Sequence, residues 1–200
     1  ALFIKAFGDS NLGTLLALSG AEVRALLTET ITATLPASAH AGKFPYGGHL
    51  RYTFKETEAG KAGHLTRLQW QTAEGQWQDL ANGRRYRVVT NAYSANGNDG
   101  WQALARAQRQ SAESQSAERV DLAWVAGQLT AFPVLAVAKR GEQLGAVYGP
   151  GKALNCKAAN VDCGTDAASF VDYVRYARPL VTALDEETVT LLRAGQADAP

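Results

Sequence analysis

"RRYRVVTNAYSANGNDGW", residues 84–101, runs from a strand into a loop. Val88, Val89 and Thr90 are β-formers. The residues after Tyr93 are nearly all small or turn-prone, with Asp99 set between Asn98 and Gly100. A strand that ends in a turn accounts for the pattern. So does a ligand site in which Tyr93 offers a ring for stacking and Asp99 a carboxylate for hydroxyl donors. Glycines beside Asp99 allow positive φ and close backbone approach. Asn98 can also take left-handed geometry. If the strand continues, Asn91 and Tyr93 share one face and line one wall.

Outward from this stretch, the chain reads as a meander of strands around one strong helix. "LSGAEVRALLTETI" (18–31) predicts that helix: Ser19 caps it, Glu22 completes a capping box, and Val23, Leu26, Leu27 and Ile31 fall on one face. "ALFIKAF" (1–7) and "GTLLALS" (13–19) read as strands around a "GDSN" turn, followed by "LRYTF" (50–54) and "HLTRLQW" (64–70). "GQWQDL" (75–80) predicts a short edge strand. Residues 102–118 predict a helix running into a polar linker. "DLAWVAGQL" (121–129) suggests a helix, "PVLAVAK" (133–139) is an apolar run, and "TDAASFVDYVRYARPL" (165–180) predicts another helix. The expected class is α+β, a strand-rich meander packed on the first helix in a single domain over 1–200.

The bulk properties agree with a globular domain. The chain has 200 residues, 46% hydrophobic and 20% charged, with a formal net charge of +1. Interspersed charge argues against a nucleic-acid partner, and no apolar run approaches the roughly 20 residues of a bilayer span. With no methionine, even at position 1, the sequence reads as a piece of a longer protein. Cys156 and Cys163, in "NCKAANVDCG", read as a small disulfide loop, with free thiols or a metal site as alternatives. A disulfide implies an oxidising compartment, periplasmic or extracellular.

No catalytic constellation assembles. The sequence has no G-x-S-x-G, no phosphate-binding P-loop and no H-E-x-x-H. His49 in "YGGHL" reads as a solvated loop histidine. The expected lists of catalytic residues, metal ligands and cofactors for this chain are therefore empty.

Three stretches in order, "AFGDSNLGTLLALSGAEVRALL" (6–27), "GKFPYGGHLRYTF" (42–54) and the opening segment, together resemble the C-terminal domain of the 5'-nucleotidase family. That family includes ecto-5'-nucleotidase and bacterial periplasmic UDP-sugar hydrolases. "TDAASFVDYVR" resembles its last helix. The resemblance implies a mixed sheet packed with helices, and a substrate-recognition domain in which two aromatic rings clamp the nucleoside base, here Phe7 and Tyr93. It implies that Asp99 binds ribose hydroxyls, that Gly42 opens the second motif at the site, and that Asp9 stands where the family has a base-contacting Asn. The "GDSN" turn is longer than the family's, so Asn11 is a further candidate for that amide.

Residues 110–164, with the cysteine loop, read as an insertion atypical of the family. Hydrolysis is expected from an N-terminal metallophosphatase domain with two divalent metals, a partner outside this sequence. Related substrates (UDP-sugars, NAD, cyclic nucleotides, those of the sulfur-oxidation relatives) and a degenerate structural or protein-interaction module are the alternatives. The aromatic pair favours nucleoside binding.

Overall fold

The computed structural model describes residues 13–110 and 118–163, all within the first of two units, Ala1–Asp166. The strand expected at 1–7, the helix at 165–180, and Phe7, Asp9 and Asn11 lie outside the described residues.

Strand β1 (Gly13–Ser19) alternates half-buried and buried positions, turning Thr14, Leu16 and Leu18 into the interior. Helix α1 (Gly20–Thr32) follows at once because Ser19 caps it. The Glu22 amide donates to the Ser19 hydroxyl at 3.2 Å, and the Ser19 amide donates back to the Glu22 carboxylate at 2.7 Å. The next helical donors are taken by the loop at 82–84: Gly20 N–H reaches the Arg84 carbonyl and Ala21 N–H the Asn82 carbonyl. A Cβ at position 20 would lie 2.2 Å from the Ala81 carbonyl oxygen, so only glycine permits this close join. The expected face of Val23, Leu26, Leu27 and Ile31 is buried.

A three-stranded sheet comes next: β2 (Leu50–Glu58), β3 (Ala62–Gln71) and the short edge strand β4 (Trp77–Asp79), in order β2-β3-β4. Strands β2 and β3 extend beyond "LRYTF" and "HLTRLQW" into the charged stretch between them. Only residues 59–61 turn, with Gly60 at φ 71. Leu65 and Leu68 of β3 enter the core with Leu80.

Strand β5 (Arg85–Asn91) returns antiparallel to β1, from Gly13↔Asn91 to Ser19↔Arg85. A one-turn helix α2 (Ala92–Ala95) and a 3-10 turn at Asn98–Gly100 lead into helix α3 (Gln102–Gln110). Glu29 of α1 ties α3 down, accepting from the Ala103 amide at 3.0 Å and pairing with Arg106. Trp101 and Leu104 complete the core around α1, which packs against β1, β3 and α3.

The segment suggested as a helix at 121–129 is a hairpin instead. Strand β6 (Val120–Val125) and strand β7 (Gln128–Arg140) pair through Val125↔Gln128, leaving the two-residue turn Ala126–Gly127. Both turn residues have positive φ, 49 and 80, the geometry that matches strand twist in a tight hairpin. Alanine seldom takes that conformation, so the turn does not announce itself. A second hairpin joins β7 to β8 (Gln143–Tyr148), and the two-residue β9 (Val161–Asp162) pairs with β6. The larger sheet has the order β5-β1-β6-β7-β8. Every described pairing is antiparallel, so the sheet expected to be mixed is antiparallel among the described residues. Direct hairpin connections between neighbouring strands require that sense. Residues 118–163 thus continue the main sheet, with β6 seated directly on β1.

Candidate functional site

The strand β5 stops at Asn91, two residues short of Tyr93. Asn91 is the N-cap of α2, its side-chain oxygen accepting from the Ser94 amide at 2.8 Å. Its amide nitrogen is buried without a hydrogen-bond partner among the described residues. The shared strand face expected for Asn91 and Tyr93 is therefore replaced by a cap and a helical turn, which leaves Tyr93 half-buried and Asn91 inside.

The loop then folds back on itself. Gly97 and Gly100 have φ 91 and 85, and Asp99 itself is left-handed at φ 52. Asp99, not Asn98, is the non-glycine residue that takes this geometry, which a short polar side chain tolerates. The Tyr93 hydroxyl donates to Asp99 Oδ1 at 3.3 Å, and the carboxylate is exposed. That distance is long for an O–H···O bond, so the link orients the two groups while holding neither tightly. Ring and carboxylate thus come from one loop and lie in contact. Gly42 belongs to another element, the 3-10 turn Ala41–Lys43, where its amide donates to His40 Nδ1 at 3.1 Å.

Asn98 has a role that sequence reading missed. Its side chain pairs with the backbone of Leu144 in β8: Nδ2 donates to the Leu144 carbonyl and Oδ1 accepts from the Leu144 amide, each at 3.1 Å. Nδ2 also donates to the Tyr93 carbonyl at 3.1 Å, closing the loop on itself. The signal for this lies 46 residues downstream and has no local trace.

Beneath the loop lies a buried ionic cluster. Arg119 and Asp121 are nearly inaccessible and pair bidentately, at 3.0 and 3.2 Å. Arg119 also donates to Asn96 at 2.7 Å and to Gln108 at 3.1 Å. Asp121 accepts from Thr14 at 2.7 Å, directly across from it on β1, and from Tyr148 at 2.6 Å. Burial pushes the Tyr148 hydroxyl well above its usual range, and its hydrogen bond to the Asp121 carboxylate adds to the shift. Asn96 is the C-cap of α2, so the cluster fixes the turn between Tyr93 and Asp99. In sequence, Arg119 and Asp121 in "ERVDLAW" look like ordinary surface charges.

Among the described residues, no three His, Cys, Asp or Glu side chains gather as a metal would need. The two cysteines form the disulfide Cys156–Cys163, with Cα atoms 5.6 Å apart. No described helix is long and apolar enough to cross a membrane.

Comparison with known proteins bears on the same region. The family described as "5'-nucleotidase, C-terminal domain" matches residues 6–106, half of the chain. A probable 5'-nucleotidase of Treponema pallidum (strain Nichols) is 30% identical over 95 residues, 48% of this chain and 16% of the relative. The NAD 5'-nucleotidase of Haemophilus influenzae is 30% identical over 90 residues, 44% of this chain and 15% of the relative. This chain thus spans less than one fifth of the curated relatives it matches. Among solved structures, that of the Haemophilus influenzae NAD nucleotidase aligns with a TM-score of 0.48 and 27% identity, covering 56% of this chain and 19% of the other. A 5'-nucleotidase precursor from Thermus thermophilus aligns with a TM-score of 0.44 and 29% identity, covering 56% and 20%. With the family's pattern running from residue 6 through the Tyr93–Asp99 loop to α3, the chain belongs to the 5'-nucleotidase C-terminal domain family.

Proposed function

We propose that this chain is the nucleotide- or nucleoside-recognition domain of a 5'-nucleotidase-type hydrolase, stacking the base on Tyr93 and holding the ribose on Asp99. The observation that carries this reading is the contact between the Tyr93 hydroxyl and the exposed Asp99 carboxylate on one tight loop. An ionised carboxylate is an acceptor with two oxygens. Tyr93 engages Oδ1 weakly, so a vicinal diol can take both oxygens at little cost. Stacking a base on an aromatic ring is worth about 1–3 kcal/mol and tolerates any base. Phe7 is proposed as the opposing ring, with Asp9 or Asn11 near the base edge and Gly42 at the site's margin.

The partner in this reading is an N-terminal metallophosphatase domain of the same parent protein. Two divalent metals there would activate water for attack on phosphorus. The residues of this chain bind and orient the substrate. Nucleotide-type substrates are supported by the names of the relatives, a probable 5'-nucleotidase and an NAD 5'-nucleotidase. The disulfide supports a periplasmic or extracellular setting. A structural module is the second reading, favoured by one observation: Asn98 commits its whole amide to Tyr93 and Leu144, holding the loop closed without a ligand.

Calorimetric titration with adenosine, AMP and uridine, on the wild type and Tyr93→Ala, separates the two. Recognition predicts saturable binding of all three and a loss of about five- to 150-fold in the variant, the value of one stacked base. Identical behaviour of the two proteins would refute recognition and leave the structural module. Isolated from its partner domain, the chain is expected to release no phosphate from AMP with divalent metal.

A further inference from the structure

A cavity of about 360 Å³ opens at the far end of β5 from Tyr93. The strand's seven residues separate Arg85 from Asn91 by roughly 20 Å at the usual rise, so this is a different place from the Tyr93–Asp99 loop. Its volume is that of a small-molecule pocket. The floor is apolar, from Val23, Leu80 and Val88. One wall is aromatic: Trp70 and Tyr86 meet edge-on, with centroids 5.7 Å apart.

The rim is cationic. Arg84, Arg85 and Arg87 line it, and no carboxylate does so among the described residues. The Arg84 guanidinium lies over the Trp70 ring at 4.6 Å and the Tyr86 ring at 5.5 Å. Stacking of this kind fixes a guanidinium by its face and leaves the N–H donors in its plane available. Arg85 already donates to the Ala17 carbonyl; Arg84 and Arg87 are the other two cations of the lining. In the same lining, His49 holds a left-handed backbone, φ 55, unusual for a side chain with a Cβ. Gln71 fixes it there, its backbone N–H donating to the His49 carbonyl at 2.9 Å and its side-chain oxygen meeting the imidazole Nδ1 at 3.1 Å. Strain retained at a pocket mouth points to function.

We propose that this cavity binds a small organic anion, an apolar or aromatic body carrying a phosphate or carboxylate group. The body rests on Trp70, Tyr86 and the apolar floor. The anionic head meets Arg84 and Arg87 in charge-assisted hydrogen bonds. Neither part of the pocket suffices alone: the apolar floor offers nothing to a bare anion, and the rim gains nothing from a neutral body.

The test is calorimetric titration of the full chain with phenyl phosphate and benzoate, set against inorganic phosphate and benzyl alcohol. Variants are Arg84→Gln, Arg87→Gln and Tyr93→Ala. At least one aryl anion is expected to bind at one site per chain, with inorganic phosphate and benzyl alcohol at least about tenfold weaker. Arg84→Gln or Arg87→Gln should weaken it by at least about tenfold, the usual worth of a charge-assisted bond. Arg87 lies on an exposed strand position, so its variant serves even if Arg84→Gln loosens the Trp70 wall. Tyr93→Ala should leave the aryl anion's affinity unchanged, which separates this site from the nucleoside reading. Failure of both aryl anions to saturate, equal binding of inorganic phosphate, indifference to both arginine variants, or loss on Tyr93→Ala would each overturn the proposal.

Discussion

Replacing Asp121 with Asn tests the buried cluster under the candidate loop. In the wild type the carboxylate accepts four hydrogen bonds, two from Arg119 and one each from Thr14 and Tyr148. An amide keeps one acceptor oxygen and turns two donors toward groups that are themselves donors. It also leaves the Arg119 charge in the interior with neutral oxygens in place of a carboxylate, those of Asn96, Gln108 and the new amide. Breaking a buried ion pair from one side costs about 3–5 kcal/mol, a large share of a typical stability of about 5–15 kcal/mol. For a chain of this size that is a fall in Tm of roughly 6–20 °C.

Urea and thermal unfolding followed by circular dichroism measure the effect. Thr14→Val, which removes one neutral donor, should cost about 1 kcal/mol. The double variant Arg119→Met with Asp121→Leu should be more stable than Asp121→Asn, because it leaves no orphaned charge. Arg119 holds the C-cap of α2, so amide exchange across residues 92–98 should also quicken in Asp121→Asn. A loss no larger than that of Thr14→Val would refute the reasoning.

Two further predictions concern the loop and its surroundings. Asn98→Gly removes three hydrogen bonds, to Tyr93 and to both backbone groups of Leu144, and should cost about 1–3 kcal/mol. The Leu144 amide should exchange faster, and unchanged exchange there would show that the bridge does not form in solution. Alkaline titration followed by phenolate absorbance should find Tyr52 and Tyr148 ionising late. Burial and the charge of Tyr46 push Tyr52 up to about 12, and Tyr148 is raised by burial and by Asp121. The folded state holds these protons more tightly than the unfolded chain does. Their stabilising contribution is therefore complete below about pH 10 and lost as pH rises through the folded values. Tyr148→Phe should remove one late step, and a profile in which it removes none would contradict the assignment.

The parts legible in sequence were those specified by neighbours along the chain. Ser19 and Glu22 announce the helix because a capping box is a local exchange of hydrogen bonds. The Leu and Val spacing gives its buried face, and the glycines around Asp99 give the tight loop. The illegible parts depend on residues far apart in the chain. Asp121 becomes buried only because Thr14 lies opposite it on β1, and Asn98 has a partner only because β8 returns to it. The 121–129 segment misleads for a local reason: apolar spacing fits either period, and the positive-φ alanine of its turn leaves no composition cue.

The residues matched to the family end at 106, yet β1 has its second edge covered by β6 and its Thr14 hydroxyl answered by Asp121. The unit that is inherited as a pattern is thus smaller than the unit that folds. A chimera or truncation cut at the family boundary would bare an inner strand, strand a hydroxyl in a dry interior and cut the loop loose from Leu144. Any transplant of the Tyr93–Asp99 loop into another scaffold has to carry the chain at least through Tyr148, or bring its own substitute for that far wall.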